Sequence, residues 1–100
     1  MTKQLSHFID GKRVAGKSGR FGDVYNPATG EVTARVPLAD AAEVRAAIAS
    51  AARAFPAWAA TPPARRVQVL FRLRELLYRH MDELTPLLSA EHGKTLADAK

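Results

Sequence analysis

The sequence predicts an α/β arrangement: an N-terminal β-hairpin region over residues 1–39, followed by three or four helices over 40–100. Three observations carry this. Five of the six glycines precede Asp40. So do the short runs that flank turn dipeptides or alternate apolar with polar residues at period two. After Asp40, alanine and leucine recur at intervals of three and four, the period of a helix with one apolar face.

The first strands are His7-Phe8-Ile9 and Lys12-Arg13-Val14, because Asp10-Gly11 between them suits the positive φ angles of a two-residue hairpin turn. A second pair is expected at Val24-Tyr25 and at Glu31–Val36, ending by Pro37, with the turn cluster Asn26-Pro27-Ala28-Thr29-Gly30 between them. Asp40-Ala41-Ala42-Glu43 has capping-box spacing and starts the first helix. Its apolar stripe runs through Val44, Ala47, Ile48, Ala51 and Phe55, and Pro56 is expected to kink or end it before Trp58.

Thr61 is expected to cap a second helix with Pro62 and Pro63 in its first turn, where a missing N–H costs nothing. Leu70, Leu73, Leu77, Met81, Leu84 and Leu88 form its apolar side, and Arg65, Gln68, Arg72, Glu75 and Arg79 its wet side. Pro86 interrupts that period, which predicts a third helix from Asp82 or Thr85 to Gly93, a good left-handed terminator. Thr95–Lys100 reads as the start of another helix, so the text is expected to be the front of a longer protein.

Composition bounds the function. At 47% hydrophobic and 25% charged the chain is foldable, and no apolar run approaches the ~20 residues of a membrane span. Alanine supplies 19 of the 47 hydrophobic residues, so the core the chain could build alone is thin. Without cysteine there is no disulfide, thiolate metal site or thiol nucleophile in these residues. No signal-like segment opens the chain, which makes the cytoplasm the expected compartment. The net charge of +5 is spread along the sequence, and only Arg65, Arg66, Arg72 and Arg79 approach a phosphate-tracking series. Glu75, four residues before Arg79, instead favours a solvated ion-paired face.

Gly11–Ser18 satisfies the letters of a phosphate loop, G-x-x-x-x-G-K-[ST]. Such a loop must pass from a strand into a helix whose first amides hold the phosphates, whereas Ser18 leads into Gly19-Arg20-Phe21-Gly22-Asp23. A basic connection is the better reading. His7, His80 and His92 lie far apart, without helical metal-ligand spacing, and no nucleophile elbow or dinucleotide fingerprint is present.

Taken in order, His7-Phe8-Ile9-Asp10-Gly11-Lys12, Tyr25-Asn26-Pro27-Ala28-Thr29-Gly30-Glu31-Val32, Ala54-Phe55-Pro56-Ala57-Trp58, Arg66 with Leu70, and Glu91-His92-Gly93-Lys94-Thr95 resemble the opening of an aldehyde dehydrogenase. The wording of residues 7–14, Trp-Ala-Ala-Thr-Pro-Pro from Trp58, and Ala90–Lys100 is similar to the methylmalonate-semialdehyde dehydrogenase branch of that family. The resemblance implies that residues 1–100 form the N-terminal part of a Rossmann-like, NAD-binding domain. It also implies an NAD-dependent, coenzyme-A-acylating oxidation of a small aldehyde by a homo-oligomer, a tetramer or a dimer. Methylmalonate or malonate semialdehyde would give propionyl-CoA or acetyl-CoA. The catalytic and cofactor-binding residues would lie outside these residues, and nucleic acid and membrane would play no part. One set is carried over: the carbonyls of Val24 and Tyr25 and the carboxylate of Glu91 as oxygen ligands to a monovalent cation. Another NAD(P)-dependent aldehyde dehydrogenase, or an independent basic helical module binding nucleic acid or protein, is the alternative.

Overall fold

The computed structural model describes residues 2–100. Its strands are β1 (Lys3–Gln4), β2 (His7–Ile9), β3 (Lys12–Val14), β4 (Phe21–Tyr25) and β5 (Val32–Pro37). Asp10 and Gly11 adopt φ of 54° and 70°, the left-handed pair whose twist matches the flanking strands. They set β2 against β3 in the register His7 to Val14, Phe8 to Arg13 and Ile9 to Lys12.

The second sheet has the order β1-β5-β4, with β4 antiparallel and β1 parallel to β5. Two of its features differ from the sequence reading. β1 carries no alternation, and it exists because Lys3 and Gln4 align with Ala34 and Arg35 while the Leu5 amide donates to the Arg35 carbonyl at 2.9 Å. β4 starts at Phe21 rather than Val24, because Phe21, Gly22 and Asp23 pair with Pro37, Val36 and Arg35 and the Leu38 amide donates to the Arg20 carbonyl at 2.9 Å. β5 includes Pro37, at the strand end, where proline is tolerated.

Three helices follow: α1 (Ala41–Ala60), α2 (Pro63–Arg79) and α3 (Met81–His92). The capping box forms as expected, the Glu43 amide donating to Asp40 Oδ1 at 2.8 Å and the Asp40 amide to Glu43 Oε2 at 2.9 Å. Pro56 does not end α1. It deprives the Ala52 carbonyl of a donor, but Ala52 and Pro56 are both exposed, so water can replace that bond, and the surrounding alanines favour helix. Thr61 caps the end of α1 rather than the start of α2, its amide donating to the Trp58 carbonyl and its hydroxyl to that of Ala57 at 2.8 Å. Pro62 opens α2 without a side-chain cap.

α3 begins at Met81, before either expected start, because His80 serves both helices. Its amide closes α2 on the Leu76 carbonyl, and its own carbonyl accepts from Glu83 and Leu84, each at 3.0 Å. Pro86 lies inside α3 one residue after buried Thr85, whose hydroxyl donates to the Met81 carbonyl at 2.7 Å. The run after Gly93 forms a single turn rather than a helix, closed by Ala99 N–H on the Thr95 carbonyl at 3.1 Å.

These elements make a slab of 47 × 38 × 16 Å. Its radius of gyration is 17.3 Å, against about 13 Å for a compact chain of this length. α2 packs on α3, but the apolar stripes are largely open: Ile48, Phe55, Leu70 and Leu87 are each about 60% exposed or more. Among the described residues no helix is long and apolar enough to cross a membrane.

Candidate functional site

Local turn chemistry builds the first half of the site. Asn26 Oδ1 accepts from the Ala28 amide at 2.9 Å, and its carbonyl accepts from Gly30 at 2.8 Å. The Asn26 amide donates to the Glu31 carbonyl at 2.8 Å, so the turn is closed from both sides. Immediately before it, the β4–β5 register shifts between Val24 and Tyr25, a bulge that re-aims the backbone at the sheet edge.

The second half is the end of α3. Gly93 is left-handed at φ 81°, and its amide donates to the Ser89 carbonyl at 2.8 Å. The two halves meet: a Cβ on Gly93 would stand 3.3 Å from Pro27 Cγ. The sequence marks Gly93 as a helix terminator but gives no sign that its bare Cα face abuts the Asn-Pro turn, since that contact joins segments over 60 residues apart.

The three residues expected to ligate a cation all belong to these converging segments. The Val24 carbonyl accepts from Thr33 Oγ1 at 3.2 Å, Tyr25 is 56% exposed, and Glu91 lies exposed on the last turn of α3. Among the described residues Glu91 makes no ion pair, and no cluster of three or more His, Asp or Glu residues could hold a metal. Two backbone carbonyls and one carboxylate are hard oxygen donors, the class that such a cation takes.

Gly11–Ser18 is a structural connection. After β3 the loop enters β4 rather than a helix, and the Lys17 amide donates to Glu43 Oε1 at 2.7 Å. A protein carboxylate occupies the amide a phosphate would need. Ser18 Oγ donates to the Leu38 carbonyl, and Gly16 is pressed against Pro37 so closely that a Cβ would come within 2.5 Å of Pro37 Cβ. The N-terminus of α1, where β5 feeds into a helix, carries the Asp40 and Glu43 carboxylates, which repel a pyrophosphate. These residues therefore do not fit a dinucleotide.

Two of the three histidines lie beside carboxylates. His7 Nε2 lies 3.8 Å from Glu43 Oε1, His80 Nδ1 lies 2.8 Å from Glu83 Oε1, and His92 is exposed. The Glu75–Arg79 pair does not close within 4.0 Å among the described residues. Arg74 instead covers the Tyr78 ring, 5.0 Å from its centroid.

Comparison with known proteins accounts for this arrangement. A malonate-semialdehyde dehydrogenase of Pseudomonas aeruginosa is 52% identical over 95 residues, which is 95% of this chain and 19% of that protein. A human mitochondrial methylmalonate-semialdehyde/malonate-semialdehyde dehydrogenase [acylating] is 53% identical over 93% of this chain and 17% of its own length. The crystal structure of a candidate methylmalonate-semialdehyde dehydrogenase from Sinorhizobium meliloti, complexed with NAD, superposes with a TM-score of 0.93 at 55% identity. That match covers 99% of this chain and 20% of the other. The chain thus spans about a fifth of the length of these relatives. The profile of the aldehyde dehydrogenase family matches residues 14–100, from the end of β3 through the Asn-Pro turn and all three helices, and this chain belongs to that family.

Proposed function

We propose that residues 1–100 are the N-terminal part of the NAD-binding domain of a coenzyme-A-acylating oxidoreductase. Its substrate is methylmalonate semialdehyde or malonate semialdehyde, and its product is propionyl-CoA or acetyl-CoA. The observation that carries this reading is identity of about 50% along nearly the whole chain to relatives bearing those names. Other aldehyde dehydrogenases with NAD or NADP bound share the fold at lower identity, such as 31% and 39%.

Bound by residues elsewhere in the polypeptide, NAD would accept the hydride and coenzyme A would take the acyl group, with the substrate's carboxylate lost as carbon dioxide. The family resemblance implies that a cysteine thiolate attacks the aldehyde, and this chain has no cysteine, so that nucleophile would lie elsewhere in the polypeptide. What these residues contribute is scaffold: the sheet and the apolar sides of α1 and α2 form part of a layered domain. The working enzyme is a homo-oligomer, and Val24, Tyr25 and Glu91 hold a monovalent cation where α3 meets the Asn-Pro turn.

The test is NADH formation by the product of the full reading frame, with methylmalonate semialdehyde, in the presence and absence of coenzyme A. Acyl-CoA should accumulate in step with NADH. Release of free acid at the same rate without coenzyme A would refute the acylating assignment, and turnover restricted to unrelated aldehydes would refute the substrate.

A further inference from the structure

Helix α2 is apolar over far more than one face. At 100° per residue, Leu76, Val69, Leu73, Leu77, Leu70 and Phe71 fall within an arc of about 220°. Arg65, Gln68, Arg72, Glu75 and Arg79 share the remaining sector. An arc of that width is covered on more than one side in a finished protein, whereas a single core needs only about 100°. α3 covers part of it, yet Leu70 stays 59% exposed and Phe71 54%.

Two arginines break the arc. Arg74 is already engaged with the Tyr78 ring. Arg66 is not. It lies well inside the arc, between Leu73 on one side and Leu70 on the other, and its Nε is buried with no hydrogen-bond partner. Among the described residues its side chain makes no hydrogen bond and no carboxylate lies within ion-pair distance. A guanidinium keeps its charge at any working pH, so covering this face with apolar surface alone would strand a cation.

We infer that the surface closing over α2 is a later part of the same polypeptide, and that it is apolar except for one carboxylate that pairs with Arg66. This rests on the reading that the chain is a segment of a longer enzyme, because its relatives run to about five times its length. A second copy of this chain is a poorer occupant. Symmetric docking of α2 on α2 would bring Arg66 toward the same arginine-bearing face, and the carboxylate on that helix, Glu75, lies in the opposite sector.

The experiment is an experimental structure of the full reading-frame product, together with the melting of its Arg66→Met and Arg66→Lys variants. The expected result is a carboxylate from beyond residue 100 of the same polypeptide at about 3 Å from the Arg66 guanidinium. Arg66→Met, which keeps the bulk but leaves that carboxylate unpaired, should lower the melting temperature by roughly 6 °C or more, and Arg66→Lys by less. A guanidinium that meets only water or backbone carbonyls, a carboxylate from another subunit, or an Arg66→Met variant as stable as the parent would each overturn the inference. Wild-type turnover is scored separately, so an inactive product with Arg66 paired as described would refute the functional reading and leave this one standing.

Discussion

Gly93 is bound by two constraints that one substitution series can separate. Its φ of 81° excludes most side chains, and a Cβ there would meet Pro27 Cγ at 3.3 Å and Pro27 Cβ at 3.6 Å. Alanine would incur both costs, the left-handed backbone alone being about 1–2 kcal/mol. Asparagine tolerates that backbone, so Gly93→Asn isolates the contact with Pro27. A gap of 3.3 Å is a few tenths of an ångström short of relaxed carbon contact, and Pro27 is an exposed ring that can yield in part. The expected cost is about 1 kcal/mol, near the low end of overpacking. In a Pro27→Ala background Cγ is gone and most of that cost should vanish, giving a coupling of at least about 0.5 kcal/mol between two residues in contact. Thermal melts of the four proteins, each expressed from the full reading frame, measure it. The reasoning fails if Gly93→Asn costs the same with Pro27 present or absent.

Gly16→Ala meets a harder wall, because its Cβ would come within 2.5 Å of buried Pro37 Cβ; a loss of about 1–3 kcal/mol is expected in the same melts. Glu43→Gln can keep only one of the two backbone amides now bound by the carboxylate, those of Lys17 and Asp40, and should cost about 1.5–3 kcal/mol. Amide exchange at Lys17 or Asp40 should accelerate selectively. Replacing sodium and potassium by a large organic cation should lower the thermal stability of the full product, and Glu91→Gln should abolish that difference; indifference to the cation would refute the Val24, Tyr25 and Glu91 assignment.

Where a residue's structure is set by its immediate neighbours, the sequence was readable. Asp10-Gly11, the Asp40–Glu43 box and the left-handed end at Gly93 all form as their local chemistry requires. The differences have distinct causes. Thr61 can serve either neighbouring helix and goes to α1, His80 serves both of its own, and Pro56 is tolerated because the carbonyl it leaves free is exposed. β1 was illegible because a two-residue strand has no period of its own and is defined by its partner. The Asn-Pro turn and the Gly93 terminator are each legible from local sequence, but their meeting at Pro27 and Gly93 depends on how sheet and helices fold back on each other.

The same division explains why elements so well specified leave so much apolar surface open. Caps, tight turns and helix periods are short-range devices, and in this chain they are nearly complete. Burial is long-range, and a slab 16 Å thick is little more than one helix diameter, so residues on its broad faces have nothing above them. A chain of this composition closing its own core would put its leucines and aromatics inside. Here Phe55, Leu70 and Phe71 remain more than half exposed, while the buried positions fall to the small or polar side chains Ala34, Pro37 and Thr85. Small residues inside and large ones outside is the pattern of a layer whose opposing wall is another part of the fold. The large side chains are then the contact surface, and the unpartnered Arg66 guanidinium sets a polar condition for whatever covers α2.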